Sequence, residues 1–228
     1  MNINKLLKLW KLFRFLYFPI VHLPPIMRDK ILINAADMFL NYGFKSVTMD
    51  DIANKIGISK KTIYQHFDTK TKLVEATTLY MFEFISHGID CICALNKSPI
   101  DEIYEIKKFT MEHLKDEKSS PQHQLQKYYP KIFEKLKTNQ FCIMQDCVTN
   151  NLARGVAEGY YRKSIDIEFI SRLYFNTMMC LKDPDLFPLN DFSMRTLMDN
   201  FLEYHIRGIS TEKGIDKLNS IINTKQKH

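Results

Sequence analysis

Apolar residues recur every three to four positions along most of the chain, and no run alternates apolar and polar residues with the β-branched enrichment of a strand. Seven Gly and eight Pro in 228 residues leave few interruptions, so the pattern predicts an all-α protein. Between Arg28 and Tyr42 the stripe Ile31, Leu32, Ala35, Ala36, Phe39 and Leu40 predicts a helix closed by Gly43. Thr48, with Asp51 three residues later, has capping-box spacing and opens a second helix carrying Ile52, Ala53 and Ile56. Gly57 breaks it, and Ser59 caps a third helix, Lys60 to Phe67, whose apolar Ile63 and Phe67 lie four apart. Asp68 or Thr69 caps a fourth. The second and third helices are too short to stand alone, so their apolar faces must pack on one another and on a neighbour.

Further along, Leu73 to about Leu95 reads as one long helix, with Leu79, Phe82, Ile85 and Ile89 apolar. Ile100 to Lys118 follows, and Ser119, Ser120 and Pro121 break it. Gln124 to Lys137 resumes helix despite Pro130, and Gln140 to Tyr161 is expected as a separate element. Asp166 opens Ile167 to Leu181, Asp183 to Asn190 is a loop, Asp191 to Ile209 is the last long helix, and Lys217 to Ile222 a short final one. Residues 1–26 stand apart. Lys and Arg interrupt their first half and Pro19, Pro24 and Pro25 the second, so no apolar run reaches the ~20 residues of a membrane span. A secretory leader lacks its small-residue cleavage site there, and an amphipathic surface helix lacks a constant basic face. The remaining reading is an upstream extension, with the working protein starting at Met27.

Charge sharpens the picture only locally. Lys5, Lys8, Lys11 and Arg14, with no acid among residues 1–26, contribute +4 of the net +6 and leave +2 for the rest. Between Lys55 and Lys72, however, five lysines face one acid, Asp68. A small residue at Ala53, a turn glycine at Gly57 and a cap at Ser59 are what a helix-turn-helix needs where its helices cross. In that geometry the start of the second helix enters the major groove of DNA. Lys61, Gln65 and Thr62 are then placed to reach base edges. Cys91, Cys93, Cys142, Cys147 and Cys180 form no C-x-x-C pair and lie in apolar helical contexts, which predicts buried thiols in a reducing cytoplasm and no zinc site.

The spaced elements A-A-x-x-F-x-x-x-G-F at Ala35 to Phe44, V-T-M-D-D-I-A at Val47 to Ala53, G-I-S-K-K-T-I-Y-x-H-F at Gly57 to Phe67 and K-x-x-L at Lys70 to Leu73 resemble the N-terminal domain of the TetR family of bacterial transcriptional regulators. The resemblance covers residues 28–75 and implies a three-helix head, 27–72, joined by a long helix to a ligand-binding and dimerisation domain, 73–223, with a tail at 224–228. It implies that Tyr64 and Lys70 hold backbone phosphates, that His66 lies at the DNA surface, and that Thr48 contacts phosphate from the preceding helix. With Ser59, Lys60, Lys61, Thr62 and Gln65, these make the expected DNA-binding set. Thr48, Ser59 and Lys70 also stand at helix N-termini, where free N–H groups favour anions.

The same resemblance implies a homodimer on palindromic operator DNA, paired through helices 166–181 and 191–209, and acting as a repressor released by a small effector. Phe82, Phe84, Phe109, Met111, Tyr128, Tyr129, Phe141 and Met144 fall on the helices that would surround the effector, and suit an apolar one. Ordinary core packing is the plainer reading of that set, and His113 and His123 read as solvated. A DNA-binding protein controlled by a protein partner, with no small ligand, is the alternative. No enzyme is expected: Asp101, Glu102 and Glu105 form the nearest acidic group, but a helix N-terminus favours acids for dipole reasons alone. No cofactor or metal is implied.

Overall fold

The computed structural model describes residues 27–115, 120–188 and 190–225. The expected extension, residues 1–26, and the last three residues of the tail lie outside them. The described residues form ten α-helices and no strand beyond an isolated bridge between Tyr161 and Ser210. We number them α1 (Met27–Tyr42), α2 (Met49–Ile56), α3 (Lys60–His66), α4 (Lys70–Cys93), α5 (Pro99–His113), α6 (Pro121–Tyr128), α7 (Pro130–Ala157), α8 (Ile167–Cys180), α9 (Met194–Ile209) and α10 (Glu212–Lys225).

The head forms as its local signals direct. The whole α1 stripe is buried; Ile31, Leu32, Ala35 and Phe39 share one core with Ile52, Ala53 and Ile56 of α2 and Ile63 of α3. Thr48 and Asp51 close a complete capping box on α2, satisfying two N–H groups that the helix itself leaves open. Gly57 ends α2 in the left-handed region, φ +72°, and Ser59 caps α3 by accepting from Thr62 N. This core continues through Leu73 and Val74 of α4 into Leu125 of α6 and Phe133 of α7, so the head packs directly on the body.

A second core joins α5, α7, α9 and α10 through Ile100, Leu152, Leu202, Ile206 and Leu218. Within it Glu102 is only 2% exposed, yet Arg154 Nη2 donates to its Oε2 at 2.6 Å and Asn151 Nδ2 to its Oε1 at 2.8 Å. Tyr161 Oη donates to Asn151 Oδ1, and its ring packs over Gly155, a close approach that only glycine allows.

Several boundaries move. α4 begins at Lys70 because Thr69 caps it, and α9 begins at Met194 because Ser193 does. The break expected between Lys137 and Gln140 does not occur: α7 runs unbroken for 28 residues. The break falls at Tyr129 instead, since Pro130 at the first helical position forfeits an N–H that has no helical partner anyway. The final helix is longer than expected, Glu212–Lys225. The cysteine expectation fails: Cys91, Cys142 and Cys180 are exposed, while Cys93 and Cys147 are half-buried where α4 and α7 meet, their sulfurs 3.9 Å apart. An apolar neighbourhood in sequence does not place a residue on the inner face of its helix. Among the described residues no helix is long and apolar enough to cross a membrane, and no group of His, Cys, Asp or Glu could hold a metal ion.

Candidate DNA-binding face and ligand cavity

On α3, Ile63 is fully buried and pins the helix, while Lys61, Tyr64, Gln65 and His66 are exposed. Lys61 and Gln65 are one turn apart on one side, and among the described residues no hydrogen bond or ion pair engages either side chain. Thr62 is half-buried, with its hydroxyl 2.8 Å from that of Ser59. The other sequence-predicted residues are already engaged. Lys60 Nζ lies 2.7 Å from Asp50 Oδ2, and this bond holds the ammonium above its ordinary pKa. Thr48 Oγ1 and N both donate to Asp51 Oδ2, at 2.7 and 2.8 Å, and these bonds hold the Asp51 carboxyl below its usual range. Lys70 Nζ donates to Lys45 O at 3.1 Å, and burial lowers its pKa in spite of nearby Asp51.

These partners revise the local charge. From Val47 to Glu75 the five lysines meet four acids, because Asp50, Asp51 and Glu75 join Asp68. Asp50 takes Lys60, and Glu75 takes Lys72 at 3.1 Å. Lys61 is thus an exposed cation on α3 that no neighbouring acid takes. The arrangement offers base-reading donors and acceptors on a rigid short helix, with capped helix N-termini beside them for phosphate.

In the body a cavity of about 220 Å³ lies among α1, α4, α5, α6, α7, α8 and α9. Of the eight sequence-predicted ligand residues, Phe82, Met111 and Met144 line it. Phe84 lines a separate void of about 30 Å³. The remaining four face elsewhere. Phe109 packs over Gly88, and Tyr129 meets Phe44 edge-on with centroids 6.5 Å apart. Tyr128 is exposed under Lys45 Nζ, and Phe141 packs edge-on against Phe175. Helix phase explains the misses. Gln140, Met144, Cys147 and Val148 share the cavity face of α7, and Phe141 is a 100° step off it. His113 is buried rather than solvated: it lies 2.8 Å from Phe109 O through Nδ1, packed between Phe84 and Phe109.

Sequence reasoning missed the polar lining, Thr77, Thr78, Gln122 and Gln140, and the contribution of the head. Ala36, Phe39 and Leu40 of α1 form part of the wall. The adjacent Thr77 and Thr78 inside an apolar helical run were the available signal. Next to the cavity, α6 clasps the head. Lys45 N donates to Gln124 Oε1 at 3.3 Å, and the Gln124 carboxamide packs against Gly43, whose φ is +87°.

Residues 31–77 match the family profile described as bacterial regulatory proteins, tetR family. The biofilm operon icaADBC HTH-type negative transcriptional regulator IcaR of Staphylococcus aureus is 36% identical over 81 residues, 35% of this chain. The chain spans 42% of the length of that relative. The HTH-type transcriptional repressor KstR2 of Mycolicibacterium smegmatis is 25% identical over 68% of this chain and 77% of its own length. Among solved structures, a TetR-family transcriptional regulator from Agrobacterium tumefaciens shares the fold with a TM-score of 0.65 at 16% identity, over 81% of this chain and 97% of that one.

Proposed function

From the match of residues 31–77 to the tetR-family profile, we propose that this chain is a TetR-like, homodimeric, sequence-specific DNA-binding repressor released by a small ligand. The observation that carries the reading is α3: Lys61, Tyr64, Gln65 and His66 are exposed on a capped helix while Ile63 anchors it. In this reading residues 27–72 are the DNA-binding head and 73–223 the sensing and dimerising body. Lys61, Gln65 and Thr62 read bases, Thr48, Ser59, Tyr64 and Lys70 hold phosphates, and Lys60 and His66 lie at the DNA surface beside them. Lys70 exchanges the Lys45 carbonyl for a phosphate oxygen, and the exposed Lys60–Asp50 pair opens at little cost when DNA approaches.

Dimerisation supplies a second head, since one grips too few base pairs for useful specificity. Helices α8 and α9 suit the role, with Phe169 60% and Tyr204 80% exposed and Leu173 one turn beyond Phe169. The ligand acts through differential affinity for two head spacings. The cavity wall includes both α1 and α4, so a molecule filling it bears on the helices that carry the head. Selection of bound fragments from random duplex DNA tests the proposal. The expected outcome is a palindrome with half-sites one helical turn apart, lost in the Lys61→Ala, Gln65→Ala double variant. Enrichment of no sequence would refute it.

A further inference from the structure

The lining of the cavity specifies a ligand class. A threonine inside a helix ordinarily satisfies its hydroxyl on the carbonyl one turn back, as Thr110 does on Ile106 O at 2.9 Å and Thr177 on Leu173 O at 2.9 Å. Thr77 and Thr78 do not: both Oγ1 atoms are buried without a partner, on side chains 1% and 9% exposed. Gln122, 9% exposed, donates from Nε2 to Gln140 Oε1 at 3.2 Å, which leaves its own Oε1 buried and unpaired. All three residues line the same cavity. Each such group costs about 1–3 kcal/mol while unsatisfied, so a molecule that satisfies them gains what the empty cavity forfeits.

The charged groups on the wall are, by contrast, already matched. Glu102 holds Arg154 and Asn151, Lys107 lies 2.7 Å from Asp199 Oδ1, and Lys182 is engaged within the chain. No lone cation is left for a carboxylate or phosphate, and an anion would face the unpaired Gln122 oxygen. The rest of the wall is largely aliphatic, aromatic and Met. A cavity of about 150 Å³ holds a benzene ring, so 220 Å³ has room for a ring carrying a short alkyl arm.

Resting on the sensing role proposed above, we infer that the cavity takes a neutral amphipathic molecule with an apolar body and a hydroxyl group, the hydroxyl donating to Gln122 Oε1 and meeting the Thr77 and Thr78 hydroxyls. An alcohol or phenol fits because one O–H both donates and accepts.

Three probes of one shape separate the possibilities: 4-butylphenol, butylbenzene and 4-butylbenzoate, titrated calorimetrically into the full chain. The phenol is expected to bind about tenfold tighter than the hydrocarbon, the worth of one net hydrogen bond, and the benzoate weakest. Gln122→Leu and the Thr77→Val, Thr78→Val pair should erase the preference for phenol over hydrocarbon while leaving hydrocarbon affinity within about twofold, which shows that the fold and cavity persist. Benzoate binding as tightly as phenol, an unchanged preference in both variants, or no binding by any probe would overturn the inference. Operator release is read separately. Phenol binding in the expected order without release of DNA leaves the ligand class standing and removes the sensing role.

Discussion

His205 should make the body acid-sensitive in a way one substitution abolishes. Its ring is 7% exposed, 5.1 Å from Tyr174 and 5.6 Å from Phe201 between centroids, with Nε2 unpartnered. Burial pushes its pKa from 6.5 down to about 4. The unfolded chain therefore takes up a proton near pH 6.5 while the folded chain resists until about pH 4. Stability from this group is complete above pH 6.5 and is lost as pH falls through that window. Linkage with these two values gives a loss of about 2 kcal/mol between pH 7.5 and pH 5. For a chain of this size that lowers Tm by about 4–8 °C. The assay is thermal unfolding by circular dichroism at both pH values, at one protein concentration because dimerisation would shift Tm. His205→Leu keeps an apolar side chain in place and removes the titrating ring. Its Tm should fall between pH 7.5 and 5 by about 4–8 °C less than that of the unaltered chain. An equal fall in both proteins would show that His205 is not held neutral by burial.

Three further outcomes follow from the same geometry. Lys61→Ala should relax operator preference at a cost of about 1–3 kcal/mol without changing Tm, whereas Lys70→Ala should flatten the salt dependence of operator binding by about one unit and also lower Tm, because only Lys70 bonds the Lys45 carbonyl; identical Tm values for the two would remove that bond from the account. Gly43→Ala should destabilise more than Gly57→Ala, measured by urea unfolding: both glycines have positive φ, worth about 1 kcal/mol each, but an added Cβ at Gly57 meets nothing within 4 Å and one at Gly43 strikes the Gln124 carboxamide. Arg154→Met should cost about 2–3 kcal/mol in the same assay by leaving Glu102 charged and buried, and adding Glu102→Gln should recover part of it; no recovery would mean that the lost contact was packing rather than charge.

The head was legible in the sequence because its determinants are local. Thr48 and Asp51 are three residues apart, Ser59 and Thr62 likewise, and Gly57 alone supplies the left-handed residue that the turn needs. Each is a short-range requirement, and each holds in the structure. The all-α class was legible for the same reason, through periodicity and the scarcity of breakers.

What lies across the body was decided by tertiary contacts. Only the phase of α7 against α4 and α5 determines that Met144 faces the cavity and Phe141 faces Phe175. Only the docking of α6 against α1 brings Gln124 to Gly43, 81 residues away in sequence. The partners of a lysine are equally hard to read: Asp50, the Lys45 carbonyl and Glu75 take three of the five cations that stood out as a basic cluster, while Lys61 stays unpaired on α3. Adjacent Thr77 and Thr78 in an apolar run hint at a polar spot, but nothing in the sequence joins them to Gln122. They acquire meaning because seven helices close around them and leave both threonine hydroxyls and Gln122 Oε1 without a partner, a property of the enclosed space rather than of any segment that bounds it.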